Sequence, residues 1–225
     1  MSQTPIRDAA TVILVRNADS RPRVLMGQRG AKAAFMPSKF VFPGGAVDAG
    51  DAAIPALAPI GAACHARLSA DSQGPGPETL GAAAVRELWE ETGQILGGRG
   101  NWTGDVPPDW RGFAAAGFLP DPSALRFIFR AITPPGRPRR FDARFFLADA
   151  RHLATDADDF SAATDELSHL HWVDVAAARN LDLPFITSVV LAEVAARLPD
   201  LDPPASVPFF RNSDEDSLFL RLQGG

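Results

Sequence analysis

The sequence predicts a mixed α+β fold, and three observations carry that expectation. Short runs rich in β-branched and aromatic residues recur along the chain, at 9–16, 23–28, 126–132, 141–148 and 167–173. Two segments instead repeat their apolar residues at helical spacing: 80–92, stopped by Gly93, and 186–197. No internal repeat and no clean linker divides the chain, so a single domain over 1–225 is expected.

In chain order, 9–16 and 23–28 flank the turn-rich NADSRP and read as a hairpin. The strand FVF at 40–42 runs into Pro43-Gly44-Gly45, a tight bend that glycine permits. Residues 52–79 read as an exposed surface excursion, with a short helix after Pro59 and then the loop DSQGPGPET. The helix at 80–92 follows. Strands are expected next at 114–118, 126–132, 141–148 and 167–173, and helices at 175–180 and 186–197, where Val190, Val194 and Leu198 keep helical spacing. The tail at 208–222 reads as a last hairpin.

Composition narrows the function classes. A chain of 225 residues, 46% hydrophobic and 22% charged, can build an ordinary core without staples. No apolar stretch approaches the roughly 18 residues a membrane helix needs, and MSQTPIRDAATVILV does not resemble a signal peptide, so a cytoplasmic protein without membrane partners is expected. Cys64, the single cysteine, rules out an intrachain disulfide or a multi-thiolate metal site and reads as a buried apolar residue. A net charge of −5 argues against a nucleic-acid partner, and the cluster Arg137, Arg139 and Arg140 is too small to reverse that.

The chemistry sits on the helix at 80–92. At about 100° per residue, Glu90 and Glu91 fall on either side of Glu87, while Gly81, Ala82, Val85, Leu88, Trp89 and Thr92 take the opposite, core side. Like charges at i, i+3 and i+4 repel, and Arg86 alone does not neutralise three carboxylates; a hard divalent cation, Mg²⁺ or Mn²⁺, does. A solvated acidic face is the plain alternative.

The glycine turn upstream favours the metal. Gly45, Asp51, Arg86, Glu87, Leu88, Glu90, Glu91 and Gly93 together resemble the Nudix box, G-x5-E-x7-R-E-U-x-E-E-x-G-U, of the Nudix hydrolase family. Three departures stand out: Asp51 replaces the usual Glu, Gln94 stands at an apolar position, and residues 52–85 put 34 residues where the pattern has seven. The insertion, the FVFPGG turn and the strand RRFDARFF are similar to the branch that includes coenzyme A diphosphatases.

The resemblance implies a Nudix-type α/β/α sandwich with a mixed sheet and metal-dependent hydrolysis of a nucleoside diphosphate linked to another moiety, with coenzyme A or acyl-coenzyme A foremost. ADP-ribose, a dinucleotide or a nucleotide sugar as substrate, and a non-catalytic nucleotide-binding module, are the alternatives. It implies metal ligation by Glu87, Glu90, Glu91 and the Gly44 carbonyl, and a bridge from the first acid to Arg86. Glu166 is the candidate general base, with Asp165 and Glu91 as alternatives. Arg29, Arg140 and Arg144 are candidate phosphate binders, although a surface role is the default for any one arginine among 20. His169 and His171 share a face of an expected strand, yet no third ligand stands near, and His65 and His152 are isolated. The expected partner is a small-molecule nucleoside diphosphate derivative, with a homodimer left open.

Overall fold

The computed structural model describes residues 4–31, 33, 36–213 and 216–223. Its strands are β1 (Ile6–Arg16), β2 (Arg23–Arg29), β3 (Phe40–Val41), β4 (Gly44–Ala46), β5 (Gly97–Arg99), β6 (Phe118–Pro120), β7 (Arg126–Ile132), β8 (Arg140–Asp149), β9 (Leu167–Asp174), β10 (Ser206–Asn212) and β11 (Ser217–Gln223). The helices are α1 (Ala62–Ser69), α2 (Pro77–Thr92), α3 (Arg111–Ala115), α4 (Val175–Ala178) and α5 (Phe185–Arg197).

Among the described residues, nine strands form one mixed sheet in the order β11-β10-β7-β8-β1-β2-β3, with β4 on β1 and β9 on β2. The β1–β8 and β10–β7 pairs are parallel, and the remaining pairs are antiparallel. β1 is the spine because Val12, Ile13, Leu14 and Val15 are all fully buried, as a strand covered on both faces requires. Val12 and Leu14 pack with Leu80, Val85 and Leu88 of α2, while Ile13 and Val15 pack with Val190, Leu191 and Val194 of α5. The sheet therefore lies between helices, the α/β/α arrangement expected from the sequence. Among the described residues no helix is long and apolar enough to cross a membrane.

Three expectations change. Residues 114–118 are not a strand: α3 runs to Ala115, and β6 starts only at Phe118 after Gly117 turns the chain at φ +81°. Trp110 and Phe113, three apart, are both buried, so the local period is helical. α2 starts at Pro77, inside the expected loop, because Pro suits the first helical turn. The excursion is not merely exposed, since Ile60, Cys64 and Leu68 enter the same core as α2. The last hairpin forms, although 214 and 215, between its strands, lie outside the described residues.

Candidate active site

The site is built where β4 crosses β1 beside α2. β4 pairs with β1 through Thr11 and Gly44, and Gly44 stands at φ +156°, where a side chain is strained. A Cβ there would come 2.5 Å from Thr11 Cα, so only glycine lets the turn lie this close. The Gly44 N–H then donates to Glu91 Oε2 at 2.7 Å.

Arg86 organises the acids. Its Nε and Nη2 donate to the two oxygens of Asp51 at 2.9 and 3.0 Å, Nη2 also reaches the Ala46 carbonyl at 2.9 Å, and Nη1 donates to Glu87 and Glu90 at 2.9 Å each. These bonds use all five guanidinium N–H groups. Arg86 is thus a positioning residue with no donor left for a phosphate. Asp51 reaches the guanidinium despite being one methylene shorter than Glu, and it also accepts from Trp110 Nε1 at 3.1 Å and Asp48 N at 2.9 Å. The contact joins the two ends of the 52–85 segment.

Arg86 alone does not neutralise the carboxylates. Burial pushes Glu87 up to about 7; Arg86 opposes this, while Glu90 and Glu166 add to it. Burial also raises Glu90, opposed by Arg86. Burial, with the charge of Glu87, holds Glu91 well above the ordinary carboxylate range against the Gly44 N–H bond. Glu91 Oε1 is buried without a hydrogen-bond partner. Among the described residues no group of three or more His, Cys, Asp or Glu side chains is drawn together as a finished metal cage. The reason is visible in the bonds: Arg86 holds Glu87 and Glu90, and Gly44 holds Glu91. The orphaned oxygen and the all-oxygen donor set nevertheless fit a hard divalent cation.

A cleft of about 430 Å³ lies over these groups, lined by Arg29, Gly44, Gly45, Arg86, Glu87, Glu90, Arg139 and Glu166 among others. Glu91, 1% exposed, does not line it and lies beneath. Glu166 reaches the mouth because β9 pairs with β2 in a register that sets Leu167 against Arg29, and Arg29 Nη2 bonds Glu166 Oε1 at 3.0 Å. Asp165, His169 and His171 are outside the lining.

Two candidate phosphate binders are corrected. Arg144, 1% exposed, points to the opposite sheet face, where it bonds Asp8, the Asp142 carbonyl at 2.8 Å and Ser72 Oγ at 3.2 Å. Arg140 is buried, donating to the carbonyls of Thr133 at 3.1 Å and Asn212 at 3.4 Å. On β8 the cleft takes Phe141, Ala143 and Phe145, so the alternation of a strand sends Arg140, Asp142 and Arg144 away. Arg139, just ahead of β8, lines the cleft. Strand parity was the signal that could have separated them. Gln94, at the expected apolar position, is fully buried and satisfied: its amide donates to the carbonyls of Asp156 and Asp159 at 3.1 and 2.8 Å and accepts from Thr155 at 2.7 Å.

Fold and box together define a class. A Nudix hydrolase from Alicyclobacillus acidocaldarius has a solved structure that superposes with a TM-score of 0.61 at 28% identity, covering 86% of this chain and 93% of that one. The Caenorhabditis elegans protein named nudix hydrolase 7 is 32% identical over 181 residues, 75% of this chain and 51% of its own length. The fold and the interrupted box are those of Nudix hydrolases. The chain is also similar to the chicken acyl-coenzyme A diphosphatase NUDT19, 29% identical over 205 residues, 63% of this chain and 54% of that protein. It spans about half the length of these two relatives. No family model matches the chain.

Proposed function

We propose that this protein is a divalent-metal-dependent hydrolase that cleaves the diphosphate linkage of a nucleoside diphosphate joined to a second group, with coenzyme A or an acyl derivative as the leading substrate. The observation that carries the reading is the charge-deficient acid set of α2 against the Gly44 turn, with one Glu91 oxygen buried and unpartnered. Glu87, Glu90, Glu91 and the Gly44 backbone would hold Mg²⁺ or Mn²⁺, which when bound would offset the negative charge of the diphosphate and favour attack by water.

The chain's own groups divide the remaining work. Glu166 stands at the mouth to take the proton of the attacking water, its carboxylate oriented by Arg29. Asp165 and Glu91 remain the alternatives, and Glu91 lies under the floor of the cleft. Arg139, on the cleft wall, takes the phosphate-binding role expected of Arg140 and Arg144. Arg86 keeps two acids in place without touching substrate. The coenzyme A assignment rests on the FVFPGG turn, the RRFDARFF strand and the likeness to the chicken acyl-coenzyme A diphosphatase.

The test is hydrolysis of coenzyme A, acyl-coenzyme A, ADP-ribose, NADH and a nucleotide sugar with Mg²⁺, Mn²⁺ or chelator, with the products identified. Coenzyme A compounds should be cleaved between their phosphates only with metal, and Glu90→Gln and Glu91→Gln should each lose two or more orders of magnitude. Turnover in chelator, or full activity in both variants, defeats the reading. Preference for ADP-ribose or a nucleotide sugar defeats only the coenzyme A part.

A further inference from the structure

Among the described residues the large sheet ends on β11, which pairs only with β10, so the backbone groups on its outer side have no strand to bond. The opposite side of the sheet, where β3 and β9 both pair with β2, is blunted. β3 is two residues long, and β9 bulges against β2, with His169 at φ +52°. β11 has no such protection: it runs against β10 from Ser217 to Gln223 with no register shift and contains neither Pro nor Lys.

The side chains of β11 are as open as its backbone. Neighbours on a strand alternate in direction, so Leu218, Phe219 and Leu220 place apolar groups on both faces. Phe219 leans on Phe129 and Phe210, with ring centroids 6.3 and 6.4 Å apart, and is still 60% exposed. Leu218, on the other face, is 37% exposed. Apolar groups open on both faces of an unpaired edge fit a further strand better than a small ligand.

The order of residues along β11 suits a second β11. Two copies placed antiparallel about a two-fold axis at Phe219 set Phe219 against Phe219 on one face and Leu218 against Leu220 on the other, while Arg221 meets Ser217. No like charges oppose each other, and Asp216, just before one strand, lies beside the Arg221 end of the other. Such a contact uses the same surface of both copies and closes at two.

We propose that β11 is a dimer interface, through which a second copy of this chain continues the sheet with Phe219 on the two-fold axis. The inference goes beyond the hydrolase reading and does not depend on it. Sedimentation of the full chain at micromolar concentration should give the mass of two chains. Phe219→Lys and Leu218→Lys, both at exposed positions, should sediment as single chains with an unchanged circular dichroism spectrum, and Phe219→Tyr should stay dimeric. Cross-linking reads the register. Directly opposed residues stand about 4.5–5.5 Å apart between Cα atoms, within reach of a disulfide, so Phe219→Cys should join to itself under mild oxidation. Leu218→Cys, two positions out of register with its own copy, should join only when mixed with Leu220→Cys. Native Cys64 is buried and takes no part. A single-chain mass for the unmodified protein, a mass above two chains, a dimer that survives Phe219→Lys, or self-joining of Leu218→Cys as complete as that of Phe219→Cys overturns the proposal.

Discussion

At the scale of single residues, the site is a balance between one guanidinium and four carboxylates. Removing Arg86 leaves the Asp51 charge buried with only Trp110 and the Asp48 N–H to hold it. Arg86→Met should destabilise the fold by about 3–5 kcal/mol, read by denaturant melts. The sign of the pH dependence follows from Glu87, whose carboxyl is raised from an ordinary 4.5 to about 7, chiefly by burial. Between those values the folded protein binds more protons than the unfolded chain, so stability is greatest below pH 4.5 for this group and falls as pH rises through 7. Glu90 and Glu91 shift in the same direction. Metal-free protein should therefore melt lower at pH 8 than at pH 5.5 as far as these groups contribute. Added Mn²⁺ should stabilise more at pH 8, because bound acids must be deprotonated. Equal Mn²⁺-induced shifts in Tm at the two pH values would contradict this.

At the scale of elements, two adjacent glycines do different work. An added Cβ at Gly44 meets backbone at Thr11, and its φ lies where L residues are strained, so Gly44→Ala should unfold or badly destabilise the turn. At Gly45 the added Cβ would come 2.6 Å from Glu87 Cδ, the end of a flexible side chain. Gly45→Ala should then keep most of the Tm and lower Mn²⁺ affinity by tenfold or more, measured by calorimetry. The excursion before α2 is tied down by the arginines of the opposite face. Arg130 donates to the Asp71 carbonyl at 2.8 Å and pairs with Asp142 at 2.7 Å, and Arg144 reaches Ser72. Long loops add little closure entropy, so such latches let the interrupted box close.

At the scale of the whole molecule, the two ends of the described chain meet on one sheet. β10 pairs in parallel with β7, and its Val207 and Phe209 enter the core that supports α2. Arg130 lies over the Phe209 ring at 4.3 Å, coupling this strand to the latch. Phe209→Ala should cost about 3–5 kcal/mol, more than a surface change on a terminal hairpin would. A chemical melt in which Phe209→Ala falls within 0.5 kcal/mol of the parent would show that β10 is dispensable to the core.

The sequence by itself determined the acid-bearing helix, its Gly93 stop, the glycine turn and the acid set, because each depends on local spacing and residue type. It also determined most strands, since periodicity reports burial. Strand alternation separates Arg139 from Arg140 and Arg144 in the sequence, but tertiary structure alone decided which of the two parities faces the cleft. The Asp51–Arg86 bridge is implied by the resemblance to the box and is present; tertiary structure alone decided that Gln94 is satisfied in the core and that Glu166 meets Arg29 across two strands. These are contacts between residues far apart in sequence, set by how the layers pack, and no local pattern carries that information.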